Sequence, residues 1–133
     1  MYKKPSGGGE RDVEEFSIIV EYETEDGRED EFLQIIRDHA RRTLEEEPGC
    51  LRFEVLKPVE RSGAPIPNRI IVSEYYASYS AVESHENNPR LQRVRSAVAP
   101  LVKSRRLVLS KALQQRPAEH GIRPENLNAA NDD

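Results

Sequence analysis

The chain of 133 residues has no tryptophan and only one cysteine, Cys50. A lone thiol excludes an intramolecular disulfide framework and a thiolate metal cluster built within one chain. No apolar run approaches the roughly 20 residues that a membrane-spanning helix needs. Nothing resembles a signal peptide, so a cytoplasmic protein with no membrane partner is expected. An excess of one charge is missing too. The net charge is −4 at 33% charged residues, which argues against nucleic acid as a partner. Arg90, Arg93, Arg95, Lys103, Arg105 and Arg106 form a local basic concentration, but no aromatic residues are interleaved with it. It reads as a solvated face, not a base-stacking surface. The Gly7-Gly8-Gly9 run neither follows a strand nor opens a helix, so it reads as a flexible linker, not a phosphate loop.

What is present is a small set of well-marked elements. Residues 1–14 and 114–133 are polar and carry no hydrophobic period, and are expected to be disordered or loosely attached. One domain over 15–113 remains. Phe16, Ile18, Val20 and Tyr22 alternate with Ser17, Ile19, Glu21 and Glu23 as a strand. Asp26-Gly27 makes a turn. Phe32, Ile35, Ile36, His39, Ala40 and Thr43 then fall on one helical stripe that Pro48 closes. A second strand covers about Cys50 to Lys57, with Leu51, Phe53 and Val55 on its more apolar face. The segment from Pro58 to Asn68 is a loop. In the third strand Ile70, Val72, Glu74 and Tyr76 face one side, and Ile71, Ser73 and Tyr75 the other. Ser78 caps a short helix that carries Ala81, Val82 and His85 inward. Asn88-Pro89 restarts a helix through Leu91, Val94 and Val98, which Pro100 ends. Lys103 to Leu113 supplies a last strand.

The order β-α-β-β-α-β is the split pattern of the ferredoxin-like α+β fold, a four-stranded antiparallel sheet with helices on one face. The other face still carries Ile and Tyr side chains, and an apolar sheet face left in water argues for a homodimer. Glu74, Tyr76 and His85 bring a carboxylate, a phenol and an imidazole to the place where strand passes into helix.

Three stretches resemble the antibiotic biosynthesis monooxygenase domain. They are Gly27-Arg28 with Glu31-Phe32 opening the first helix, Glu47-Pro48-Gly49-Cys50-Leu51 entering the second strand, and Glu74-x-Tyr76 followed by His85. The resemblance covers about Phe16 to Leu113 and implies a ferredoxin-like domain paired sheet to sheet as a dimeric α+β barrel. It also implies a chemically mixed family. Some members insert oxygen into polycyclic phenols or quinols without metal or flavin, others degrade heme, and one branch isomerises a phosphorylated signalling sugar derivative. Heme degradation is disfavoured here, because that branch needs a tryptophan and a ligating histidine, and no histidine lies between His85 and His120. Where many relatives carry a tryptophan two residues after the strand glutamate, this chain has Tyr76.

Within that resemblance His85 is the candidate general base, since an imidazole exchanges protons near neutral pH. At a helix end it could equally satisfy a backbone carbonyl or pair with Glu74. Glu74 either orients His85 or pairs with an arginine such as Arg52 or Arg69. Tyr76 either contacts substrate or serves as a core aromatic. His39, Phe53 and Tyr79 are the candidate substrate-contacting residues. No structural metal and no cofactor are expected. The expected activity is a cofactor-independent monooxygenase taking dioxygen and a small phenolic or quinol-type molecule. An isomerase and a non-catalytic dimeric binding module on the same scaffold remain as alternatives.

Overall fold

The helical stripe and the alternations of the first and third strands fold as the sequence pattern predicts. A computed structural model describes residues 14–114. The two polar end segments, with the glycine run and His120, lie outside the described residues but for Glu14 and Gln114. Strand β1 spans Phe16–Thr24, helix α1 Glu29–Glu46, β2 Cys50–Leu56 and β3 Arg69–Tyr76. Helix α2 spans Tyr79–Glu86, α3 Pro89–Val98, a 3-10 turn Ala99–Leu101 and β4 Val102–Lys111. The sheet order is β2-β3-β1-β4 with every pair antiparallel, the ferredoxin-like arrangement. No helix is long and apolar enough to cross a membrane among the described residues.

The core lies between one face of this sheet and the helices. Ile18, Val20, Phe53, Ile70, Val72 and Tyr76 meet Phe32, Ile36 and Ala40 of α1, Val82 of α2, and Val98 and Leu101 beyond. Gly27, at a φ of 76°, makes the turn before α1, a backbone angle that glycine adopts without strain. Glu29, Asp30 and Glu31 occupy the first turn of α1, where negative charge complements the helix dipole. The Ser78 hydroxyl accepts from the Ala81 amide at 3.1 Å to cap α2. Asn88 accepts from the Arg90 amide at 2.9 Å and caps α3, with Pro89 at its first position.

One strand face is corrected. Leu51 does not share the inner face with Phe53. The β2–β3 register shifts between Cys50, opposite Tyr76, and Arg52, opposite Tyr75. Leu51 is therefore the extra residue of a bulge and faces solvent, while Cys50 and Phe53 are both buried. The bulge breaks the two-residue period that strict alternation assumes.

Gly49 decides how α2 sits. A Cβ built there would stand 2.5 Å from the Ala81 Cβ, and the Gly49 carbonyl accepts from the Ala77 amide at 2.9 Å. Glycine lets the first turn of α2 pack directly on the chain entering β2, and this fixes the position of His85 one turn further on.

Candidate active site

Three carboxylates, Glu45, Glu46 and Glu47, stand at the C-terminal end of α1, with no basic residue in its last turn. That placement opposes the helix dipole and calls for cations from elsewhere in the chain. Glu45 is met within α1, where Arg41 Nη1 donates to its Oε1 at 3.1 Å; for Glu46 and Glu47 the cation comes from the start of α3. Arg90 is only 6% exposed. Its Nη2 donates to Glu47 Oε2 at 3.4 Å and its Nε to Glu46 Oε1 at 3.3 Å. Its Nη1 donates to His39 Nδ1 at 2.7 Å, to Thr43 Oγ1 at 3.2 Å and to the His39 carbonyl at 3.4 Å. Asn88 Nδ2 donates to Glu47 Oε2 at 2.9 Å. For Arg90 the solvated-face expectation is overturned, because a buried guanidinium is tolerable where carboxylates and hydrogen-bond acceptors surround it.

Glu47 in turn holds His85. The His85 Nδ1 lies 2.9 and 3.2 Å from the two Glu47 carboxylate oxygens, and its Nε2 lies 3.6 Å from Glu74 Oε1. In neutral His85, Nδ1 carries the proton that Glu47 accepts, which leaves Nε2 as a bare acceptor. In His39, Nδ1 accepts from Arg90, so the ring proton sits on Nε2. Burial is the largest cause that pulls the His39 pKa down to about 3, with His85 and Arg90 adding to it. His39 is a neutral donor.

Glu74 is buried in mid-sheet, and its Oε1 accepts from the Tyr76 hydroxyl at 2.6 Å. Burial pushes its pKa up to about 7, partly opposed by that hydrogen bond. Burial first, and then Glu74, raise the Tyr76 pKa, so Tyr76 stays a protonated donor. The arginine partners considered for Glu74 are excluded by strand parity. Arg52 is paired with Tyr75 in the ladder and lies over its ring at 5.3 Å, on the outer face. Arg69 precedes the inward Ile70 and points the same way as Arg52. The hydrogen-bonded carboxylate on His85 is Glu47, not Glu74. Cys50 is inert by comparison, with burial raising its thiol to about 11.

Part of this cluster borders a cavity of about 330 Å³ between sheet and helices. His85, Glu74, His39 and Phe53 line it, against an apolar wall that includes Ile18, Val20 and Val72. Arg95, Arg105 and Tyr22 line it as well. Ile18 pairs with Glu74 while Tyr22 pairs with Arg105, so the Glu74 and Arg105 positions lie about 13 Å apart along β1. The His39 ring stands 5.5 Å from the Phe53 and His85 rings. Two expected residues lie elsewhere. Tyr76 is fully buried behind Glu74 and does not line the cavity. Tyr79 is largely exposed and meets Phe16 edge-on at 5.4 Å. Sequence reasoning missed Glu47, Arg90, Thr43 and Asn88. The one visible signal was the acidic run at the wrong end of α1. Among the described residues no group of three His, Cys, Asp or Glu side chains could hold a metal ion.

The sequence profile of the antibiotic biosynthesis monooxygenase family matches residues 15–97. The chain belongs to the antibiotic biosynthesis monooxygenase family. Solved structures share the family fold. The "putative antibiotic biosynthesis monooxygenase" of Nitrosomonas europaea is 21% identical, with a TM-score of 0.64 over 74% of this chain and 90% of that one. The protein of the same description from Caulobacter crescentus is 18% identical, with a TM-score of 0.67 over 83% of this chain and 100% of that one. A conserved protein from Methanosarcina mazei is 13% identical, with a TM-score of 0.63 over 74% and 93%. None of the curated proteins matches. The signature Glu-Pro-Gly of this monooxygenase-family chain thus has two physical jobs: Glu47 binds His85, and Gly49 seats its helix.

Proposed function

We propose that this protein is a monooxygenase that takes dioxygen and a small phenolic or quinol-type substrate without metal or flavin, working in the cytoplasm. The observation that carries this reading is His85. Its Nδ1 is engaged by Glu47, and its remaining nitrogen stands near Glu74, with which it lines an apolar cavity. A carboxylate behind an imidazole fixes its tautomer and stabilises the imidazolium formed when it takes a proton. His85 Nε2 removes the substrate hydroxyl proton, and the electron-rich anion passes an electron to dioxygen. Recombination forms a C–O–O bond, the peroxide takes the proton back from the His85 imidazolium, and loss of water together with the hydrogen on that carbon leaves one oxygen atom in the product as a carbonyl and the other in water. The apolar wall keeps bulk water from the reduced-oxygen intermediate. The cavity volume falls within the range of small-molecule pockets, which supports a site that is open and not filled by its own side chains.

A homodimer through the bare sheet face belongs to the same reading. Cross-strand pairing places Leu56, Ile71, Ile19 and Val108 on the face opposite the helices, and Ile19 and Leu56 are exposed. Burying those side chains against a second copy removes apolar surface from water.

Oxygen uptake with a panel of dihydroxyarenes and anthrone-like phenols, without added metal or flavin, tests the activity. Uptake that His85→Ala abolishes is the expected result. Turnover unchanged in His85→Ala refutes the role of the base. Substrate conversion without oxygen consumption would move the same base to an isomerase.

A further inference from the structure

His39 and His85 share one cavity but have opposite hydrogen-bonding polarity, and a single side chain links the two. Arg90 donates to His39 Nδ1 and to Glu47, and Glu47 engages His85 Nδ1. Each ring thereby has its Nδ1 committed to a protein partner on the α1–α3 side. Neither Arg90 nor Glu47 lines the cavity, whereas both histidines do. Each ring therefore keeps one nitrogen, Nε2, for the cavity side: protonated in His39, bare in neutral His85. The rings lie 5.5 Å apart, tilted by 43°, close enough for both nitrogens to approach one small polar group.

We propose that His39 is a second catalytic residue, a neutral donor to the same substrate oxygen that His85 deprotonates, and that Arg90 is the positioning residue holding the two imidazoles in opposite tautomers. This rests on the proposed role of His85 as base and names what that base acts upon. An acceptor facing a donor is matched by a hydroxyl, which gives its proton to one and takes a hydrogen bond from the other. A ketone or a preformed anion offers nothing to the bare nitrogen. The site thus selects the protonated form of an acidic hydroxyl, a phenol or an enol, and ionises it in place. After transfer the oxyanion accepts from the His85 imidazolium and from His39, which is neutral both before and after the step. No electron moves in this step; one O–H bond breaks and one N–H bond forms. The raised pKa of Glu74 fits the arrangement, since a protonated carboxyl near His85 does not repel the oxyanion.

Nitrogen-15 NMR of histidine-labelled protein reads the tautomers directly. The expected spectrum has His39 protonated at Nε2 and neutral His85 protonated at Nδ1. Arg90→Met should turn His39 into a mixture of tautomers, and Arg90→Lys should retain the wild-type form in part. His39 protonated at Nδ1 in the wild type overturns the proposal, and that measurement stands even if an Arg90 variant fails to fold. A tautomer unchanged in folded Arg90→Met overturns the role of Arg90.

The donor itself is tested with 4-nitrophenol, whose absorption separates bound phenol from bound phenolate. His39→Phe should lower the bound phenolate-to-phenol ratio roughly tenfold or more at a given pH, as expected for a lost hydrogen bond to a charged group. His39→Gln, which keeps an N–H donor, should recover part of that. If His85→Gln abolishes the phenolate while His39→Phe leaves it unchanged, the donor role fails and the base survives. If neither substitution changes the ratio, or if the wild type does not ionise the phenol, the base fails as well.

Discussion

Replacing Glu74 by Gln should make the protein more stable at alkaline pH and leave it nearly unchanged in acid. Glu74 is 6% exposed, and its pKa rises from 4.5 to about 7 on folding. Between those two values the native state holds a proton that the unfolded chain has released. More protons are bound in the native state, so stability falls as pH rises through this window. At roughly 1.4 kcal/mol per pH unit, the loss comes to about 3 kcal/mol once pH exceeds 7. Glutamine cannot ionise, yet its carbonyl can still accept from the Tyr76 hydroxyl, which donates to Glu74 at 2.6 Å. Urea unfolding of both proteins, at one protein concentration and at intervals from pH 4.5 to 8.5, measures the difference. Titrating groups remote from Glu74 cancel between the two curves. The Glu74→Gln advantage should grow from near zero to about 3 kcal/mol. A flat difference, or an advantage of the wild type that grows with pH, would show an ionised and well-solvated carboxylate and refute the burial argument.

Gly49→Ala should cost about 1–3 kcal/mol by forcing α2 away from β2, since the new methyl would meet the Ala81 Cβ; thermal unfolding measures it, and a loss below about 0.5 kcal/mol would contradict the close approach. Arg90→Met strips partners from Glu47, His39 and Thr43 together, and a cost of about 3 kcal/mol or more is expected in chemical denaturation. Ile19→Lys puts a charge on the exposed sheet face, and analytical ultracentrifugation should show dimer association weakened by roughly 100-fold or more. A wild type that sediments as a monomer removes the basis for that dimer.

The elements could be read because their signals are local. The apolar period of α1, the Ser78 and Asn88 caps and the Asp26-Gly27 turn each depend on residues within a few positions of one another, and all appear where expected. The inner face of β3 followed for the same reason, since neighbours in a strand alternate whatever their partners do. The Leu51 bulge escaped because it is a property of pairing: the extra residue shows only against the register of β3. Tyr79 escaped because helical period states which way a side chain turns and not what lies opposite.

From the sequence came the order of elements, the inward set of most of them, and a carboxylate, a phenol and an imidazole converging where β3 meets α2. Only the tertiary structure decided how they connect. Glu47 and His85 are 38 residues apart, and His39 and Arg90 are 51 apart. No local preference reports such separations. What joins them is the packing of the C-terminal end of α1 against the end of α2 and the start of α3. Glu46 and Glu47 gather at the negative end of one helix, where a buried guanidinium meets both and an imidazole meets Glu47, each from another element. That meeting turns an ordinary helix-end histidine into an oriented base.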